Sequence, residues 1–491
     1  MTQHSIKKNS VYSIIKTGAS ILFPFITFPY ISRVLLTDNV GKIQYGLSIV
    51  SYFSLIASLG ISTYAVRECS GVRDDKQKLS QTASQIYSIN IIFTIISYFA
   101  LAITLLLYHT LDNYRTLIII QSITIMATTL GADWLNSAME DLKYITIRTV
   151  SFQFLSLLLM FIFVRNENDY MKYAIISVVS SAGASITNIW YRKRYCPVRF
   201  TAKIEWKMHM APIMFLFVMV LAQTIFNSVD STMLGSIHGD HEVGIYSAAH
   251  KISNIINQIA GSLLWVIMPR MAYYYAEKDY ESINRLLRKI LQFNITLGLP
   301  CVIGTMILSK DIISAVAGTA YVEATPVLQI LMLGLLFSLI GGNFLGNAIL
   351  LPAKQEKYYM IVCCLSAVVN IIANYIFIPI YGATAAAGTT AVCSLVILVL
   401  LLFKVDKKVK IQGIGRLVIS PIVGCLGIVL VCIICSKVDN LWLRVLISLI
   451  GSVSIYSLIQ WCMKNELITD VLQVVKKRRA NKLWERKKNE S

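Results

Sequence analysis

The sequence predicts an all-α integral membrane protein of about 14 transmembrane helices. Three observations carry that prediction. Of the 491 residues, 56% are hydrophobic and only 14% charged, whereas soluble domains carry about 25% charged residues. The apolar residues come in blocks near the ~20 that a helix needs to cross hydrocarbon. Finally, 45 Lys+Arg stand against 26 Asp+Glu, a net charge of +19, and they gather in alternate connecting segments.

Lipid offers no hydrogen bonds to the backbone, so each apolar block must close its own as a helix. The blocks read as spans at 11–31, 43–66, 83–107, 116–136, 149–164, 172–190, 212–235, 244–268, 290–309, 323–351, 359–379, 383–403, 417–435 and 443–463. The first follows Lys7 and Lys8 as a secretory signal would, but its run is too long and lacks a small-residue cleavage site. It is a span. Pro24 and Pro29 inside it predict a bend and a candidate gating hinge. The fifth span is short. The tenth is long enough to tilt or break, and Gly341-Gly342 mark a place for it. No β-barrel alternation is present.

Basic residues accumulate on the cytoplasmic side of membrane proteins. With the N-terminus in the cytosol, the inner segments hold 35 Lys and Arg and the outer segments 8, with Lys16 and Lys251 inside spans. Both termini are therefore expected in the cytosol. The tail from Lys476-Lys477-Arg478-Arg479 reads as a topology anchor, attracted to anionic lipid at about 1 kcal/mol per charge. A nucleic-acid site would interleave aromatics, and only Trp484 does so; no nucleic-acid partner is expected. Ten cysteines are present, none well inside an outer loop. Cys432-x-x-Cys435 has redox or zinc spacing but ends an apolar helix, where helix packing is the plainer reading. Neither a disulfide framework nor a metal site is expected.

Two stretches echo each other at an offset of about 203. Asp38-Asn39-Val40-Gly41 before Tyr45 resembles Asp240-His241-Glu242-Val243-Gly244 before Tyr246, and Arg67 maps onto Arg270. Ile89-Asn90-Ile91 matches Phe293-Asn294-Ile295, one residue out of step. Asn136 and Lys143-Tyr144 echo Asn347 and Lys357-Tyr358. Their common order predicts a duplication of spans 1–6 as 7–12, in parallel halves that hold a substrate between them. The expected organisation is an N-terminal lobe 1–190, a basic linker 191–211, and a C-terminal lobe 212–403. Appended spans 404–463 and a basic tail 464–491 complete it.

A charge at the bilayer centre costs at least ~2.5–3.5 kcal/mol, so charges inside spans call for a reason. At 100° per residue, Ser247, Lys251, Asn254, Gln258, Gly261 and Ser262 share one face of span 8. Ile252, Ile256, Ile259 and Leu263 share the other. The polar face is expected to line a cavity; snorkelling would explain Lys251 but not the deeper Asn254 and Gln258. Asn9, Ser13, Lys16, Ser20 and Thr27 form a similar face on span 1, interrupted by Phe23, where snorkelling explains Lys16 nearly as well as a cavity does. Gln223, Asn227 and Asp230 share a face of span 7. Asp230 and Lys251 lie at similar depth, which allows an ion pair across the hairpin. Asp133, at the end of span 4, is either a local cap or a coupling-ion site. No Walker A loop, GxSxG, HExxH or metal-binding acidic pair occurs. Transport without catalysis or a cofactor is expected.

Phe28-Pro29-Tyr30-Ile31-Ser32-Arg33-Val34-Leu35, then Gly41, Ser51-Tyr52-Phe53, Leu59-Gly60-Ile61, Tyr64, Arg67-Glu68 and Arg73-Asp74 resemble a known signature. It opens the bacterial polysaccharide-repeat-unit flippases, the O-antigen and capsule translocases of the multidrug/oligosaccharidyl-lipid/polysaccharide exporter superfamily. Asp133-Trp134-Leu135, Glu140-Asp141-x-Lys143-Tyr144-Ile145-x-Ile147-Arg148 and Val229-Asp230-Ser231-Thr232-Met233-Leu234-Gly235 resemble further segments. Leu36 stands where that family usually has Gly, and Asn136-Ser137-Ala138 replaces an aromatic-Gln-Gly stretch. The resemblance implies two six-helix lobes in a V, plus two extra C-terminal helices, in the bacterial cytoplasmic membrane. It implies a flippase for undecaprenyl-diphosphate-linked oligosaccharide, moved from inner to outer leaflet by alternating access. A polysaccharide polymerase and a chain-length regulator are the protein partners expected with it.

The residues suit such a cargo. A lipid-linked sugar diphosphate needs fixed cations for phosphate, where charge-assisted bonds are strong, and amides or hydroxyls for sugar. Lys251 and Lys16 supply cations; Asn254, Gln258, Gln223 and Asn227 supply sugar-type contacts; Arg33 lies at the outer rim of span 1. Two rivals stand beside this reading. An ion-coupled drug or organic-cation antiporter should show unpaired cavity acids, and only Asp133 and Asp230 lie in spans. A non-transporting scaffold of a polysaccharide assembly complex is the other.

Overall fold

The computed structural model describes residues 6–406, 409 and 413–467. The basic tail from Lys476 lies outside them. The expected segments are mostly helical, with non-helical residues inside them at Leu59-Gly60, Ala132 and Leu308, and no β-strand occurs among the described residues. In order the helices are α1 Ile6–Ser58, α2 Ile61–Gly71, α3 Lys76–Leu107, α4 Arg115–Gly131, α5 Asp133–Ala138, α6 Leu142–Phe163, α7 Tyr170–Tyr191 and α8 Trp206–Ile237. There follow α9 Asp240–Glu277, α10 Tyr280–Phe293, α11 Leu299–Ile307, α12 Ser309–Val316, α13 Ala324–Ser338, α14 Glu356–Leu402, α15 Ile414–Cys435 and α16 Leu441–Cys462. Among the described residues, ten helical segments are long and apolar enough to cross a membrane. Short polar residues start several helices: Asp75 accepts from the Gln77 and Lys78 amides of α3 at 3.0 and 3.1 Å. Asn440 does the same for Leu443 of α16 at 3.1 Å. Each such cap is worth about 1 kcal/mol.

The chain separates into two compact units, Met1–Ser247 with Ile371–Ala383, and Ala248–Asn370 with Thr384–Ser491. In the first unit α1 runs for 53 residues, more than one crossing needs. Helical dihedrals continue through Pro24 and Pro29, and the break comes at Leu36, with φ 60° and ψ −176°. Only glycine takes that conformation without strain, which costs a bulky residue about 1–3 kcal/mol. This gives physical content to the departure from the flippase pattern at Leu36. Its side chain is 40% exposed, so little packing is lost on removing it. Leu36→Gly is expected to stabilise the protein by about 1–3 kcal/mol in thermal unfolding in detergent; a lower melting temperature would contradict the strain.

The repeat is visible at this turn. Leu36 corresponds at offset 203 to Gly239, which also has positive φ, 87°. A Cβ on Gly41 would overlap the Asp240 carbonyl oxygen, and one on Gly244 would overlap the Thr37 carbonyl. Thr37 and Asp240 are themselves repeat mates. Between them, Asp38 meets its own mate, His241, Oδ1 to Nδ1 at 2.9 Å. The two turns thus pack around a local two-fold axis. The next mates both reach outward: the Asn39 amide donates to the Glu167 carbonyl at 2.8 Å. Glu242 accepts from the Ala383 backbone amide at 2.6 Å, beside the break in α14 at Gly382. Tyr114 donates to Asp240 at 2.6 Å. Burial raises the Asp240 carboxyl above its ordinary range, while the Tyr114 bond and Lys42 pull it down.

Polar contacts between helices hold the rest of this unit, as is usual where lipid removes the hydrophobic drive. Ser51 donates to Ser228 at 3.0 Å, and Thr232 to Ser48 at 2.9 Å, between α1 and α8. Ser97 of α3 donates to the Phe53 carbonyl at 2.6 Å.

The second unit contains two π-helical stretches, Asn294–Gly298 between α10 and α11 and Leu339–Leu350 after α13. The latter includes Gly341-Gly342, so the tenth span widens into a π-helix at the place expected to bend or break. Such turns recur at functional sites. Helices α15 and α16 pack on this unit. Cys425, Ile428, Cys432 and Tyr456 form an apolar cluster with Leu299, Ile303 and Leu308. Arg444 makes two bonds to Asp311, at 2.7 and 3.0 Å. Cys432 is therefore part of a core.

Candidate functional site

In the first unit the α1 face is open. Lys16 is exposed, and Ser20 behind it donates to the Lys16 carbonyl at 3.0 Å. Pro24 is exposed and Pro29 half-buried. Arg33 is exposed and its guanidinium donates to the Pro29 carbonyl at 2.7 Å, which stiffens the helix just before Leu36. On α8, Gln223 and Asn227 are both exposed, and the Asn227 amide donates to the Gln223 carbonyl at 2.9 Å. They form one polar strip.

Asp230, one turn further, is set apart from that strip. It is 1% exposed. One carboxylate oxygen accepts from the Tyr246 hydroxyl at 2.5 Å and the other from the Asn374 amide at 2.6 Å. Tyr246 comes from α9 and Asn374 from α14, so three helices meet on one acid. The two bonds tie the three helices to one side chain. Asn370, one turn before Asn374, is also fully buried.

Asp133 has a different partner. Arg148 of α6 donates to its Oδ2 at 2.7 Å. The Arg148 side chain is only 4% exposed and Asp133 43%, and the guanidinium lies 5.3 Å above the Tyr144 ring. Tyr144 in turn stacks on Tyr191 at 3.3 Å. Asp133 thus anchors a buried cation rather than merely ending a helix.

In the second unit Lys251 and Asn254 are half-buried and Gln258 is exposed on α9. The Asn254 amide lies 3.4 Å from the His250 ring nitrogens. One residue off that face, Asn257 accepts from Asn343 of the π-helical stretch at 3.0 Å. Ile252 is buried and Ile259 is 46% exposed; the side chains of Ser262 and Leu263 lie outside the described set.

The residues that sequence reasoning passed over are the partners: Tyr246, Asn374, Asn257 and Asn343. The one available signal was composition. An asparagine in a span needs a partner, and Asn370-x-x-x-Asn374 and Asn343 stood unexplained in apolar runs.

The chain is similar to known proteins over most of its length. The family described as "Polysaccharide biosynthesis protein" matches residues 6–274, and the MatE family matches residues 216–376. The capsular polysaccharide biosynthesis protein CapF of Staphylococcus aureus is 25% identical over 405 residues, covering 80% of this chain and 97% of that protein. A putative O-antigen transporter of Escherichia coli K12 is 22% identical, covering 72% and 86%. Among solved structures, the lipid II flippase MurJ in an inward closed conformation superposes with a TM-score of 0.75 at 16% identity, covering 93% of this chain and 99% of that one. An inward-facing multidrug exporter of the MATE family gives 0.57 at 13% identity, covering 79% and 97%. These two show the fold. With more than half of its length inside the first family match, this multi-pass membrane chain belongs to the polysaccharide biosynthesis protein family.

Proposed function

We infer that the protein moves an undecaprenyl-diphosphate-linked oligosaccharide from the inner to the outer leaflet of the bacterial cytoplasmic membrane, by alternating access. O-antigen, capsule or exopolysaccharide assembly would consume the product. The family supports a glycan cargo. The observation that carries the mechanism is Lys251, a half-buried cation inside a 38-residue helix, one and two turns from Asn254 and Gln258. A cation followed by two amides on one face suits a diphosphate followed by sugar. Lys16 supplies a second cation at the inner end, in the orientation that the basic segments favour. On the first unit, Gln223, Asn227 and Arg33 would supply further polar contacts to the cargo, and Pro24 and Pro29 remain the proposed hinge. Asp133 is committed to Arg148, so ion coupling falls to Asp230.

The test is flipping of a fluorescent lipid-linked oligosaccharide in reconstituted vesicles. Lys251→Gln is expected to slow it at least about tenfold, the scale of one lost charge-assisted contact, while Lys251→Arg retains most of it. Normal flipping with both Lys251 and Lys16 neutralised would rule the mechanism out. The MatE match over residues 216–376 favours a second reading, export of an organic cation. Saturable binding of labelled tetraphenylphosphonium, displaced by acid, would support that instead.

A further inference from the structure

We propose that the first unit holds a sugar subsite, a cavity beside Asp133 and Trp134 that takes one pyranose ring of the cargo. The inference rests on the flippase reading and adds where the glycan is gripped. The cavity measures about 180 Å³ and is walled by α1, α2, α3, α4 and α5. At ~30 Å³ for each water it has room for about six waters or one sugar ring with its hydroxyls.

The lining selects among ligands. Five hydroxyl-bearing residues line it, Ser54, Ser58, Ser62, Thr128 and Thr129. Asn90 joins them; it is buried, and its amide nitrogen is engaged by the Ala57 carbonyl at 2.8 Å. Its amide oxygen remains for a ligand. The only ionisable wall residue is Asp133, and Arg148 neutralises it at 2.7 Å. A phosphate finds no presented cation here, because the Arg148 side chain is 4% exposed. A metal cation finds no unneutralised carboxylate. A lipid tail would have to desolvate the hydroxyls. A neutral polyol meets none of these objections, and Trp134 adds the aromatic wall on which the C–H face of a sugar packs.

A second observation points the same way. Trp134 is 6% exposed and its indole N–H has no hydrogen-bond partner. The same holds for Asp133 Oδ1 and for Arg148 Nε and Nη1. Buried polar atoms are nearly always paired, and leaving them unpaired is costly. Two of them, the Trp134 indole N–H and Asp133 Oδ1, belong to residues that line the hydroxyl-rich cavity, where a sugar's alternating donors and acceptors can satisfy them. Ser62 and Thr128 are exposed, so the cavity has an open side for a ring still attached to its lipid.

The experiment compares two probes on the full chain in nanodiscs. One is lipid-linked oligosaccharide extracted from the source membranes; the other is undecaprenyl diphosphate with no sugar. Ser58→Ala combined with Thr128→Val removes hydroxyls at nearly constant shape, and Trp134→Phe removes the indole N–H while keeping an aromatic wall. Each variant is first checked for an unchanged melting temperature and monodispersity; one that fails is replaced by Ser54→Ala. The subsite predicts binding of the oligosaccharide lipid weakened about tenfold, the loss of one or two hydrogen bonds, with binding of the bare lipid unchanged. Equal weakening for both probes, or none for either, overturns the subsite and leaves the flippase reading standing. If the unaltered protein binds neither probe, the flippase reading fails and the subsite falls with it.

Discussion

Gly41→Ala and Gly244→Ala are each expected to cut the yield of folded protein and the surface glycan it supports by at least about tenfold. The added methyl would overlap a backbone carbonyl oxygen in both cases, that of Asp240 for Gly41 and that of Thr37 for Gly244. A flexible side chain can swing aside from such a collision. A carbonyl in a helix turn moves only with its helix. Overpacking costs about 1–3 kcal/mol and occasionally more, and a backbone collision stands at the upper end, a large share of any domain's stability. The two effects should be similar in size, because the collisions are repeat mates around one axis. Gly18→Ala is the control, since nothing lies within 4 Å of a Cβ there. Size-exclusion melting curves of the three variants decide the matter. Wild-type curves for Gly41→Ala would mean that the turns do not pack as described.

What the sequence disclosed and what it hid divide along a physical line. Span positions were legible because hydrocarbon tolerates only closed helices of about twenty apolar residues. The expected duplication rests in part on Val40-Gly41 and Val243-Gly244, where a backbone crossing leaves no room for a Cβ and so fixes the residue type. Partnerships across space left no such trace. Nothing near Asp230 announces Asn374, 144 residues away. The break in α1 shows the opposite difficulty. Proline draws the eye to positions 24 and 29, whereas the non-helical residue is Leu36, whose identity opposes the conformation it adopts. Its one outward sign was the departure from a family glycine. Arg148 read as part of a loop motif, although its side chain is buried against Asp133.

Asp230→Leu is expected to abolish export and to destabilise the protein, and the two effects can be separated. The substitution leaves the Tyr246 hydroxyl and the Asn374 amide buried without this acceptor. A stranded buried donor costs about 1–3 kcal/mol, so a loss of about 2 kcal/mol or more follows. Adding Tyr246→Phe and Asn374→Leu removes the stranded donors. Replacing a whole buried polar set by apolar groups of similar shape is often neutral or stabilising, and hydrogen bonds between membrane helices average only about 0.6 kcal/mol. The triple variant should therefore regain most of the melting temperature that the single variant loses. Export should not return with it. An acid at this depth is costly to insert, and three helices spend polar side chains on holding it, so stability alone does not account for its presence. A triple variant that melts normally and still exports glycan would reduce Asp230 to a packing residue and remove it from the transport cycle. One that melts normally and exports nothing assigns the carboxylate to the moving parts of the protein, where a charge that three helices share can bias which arrangement they hold.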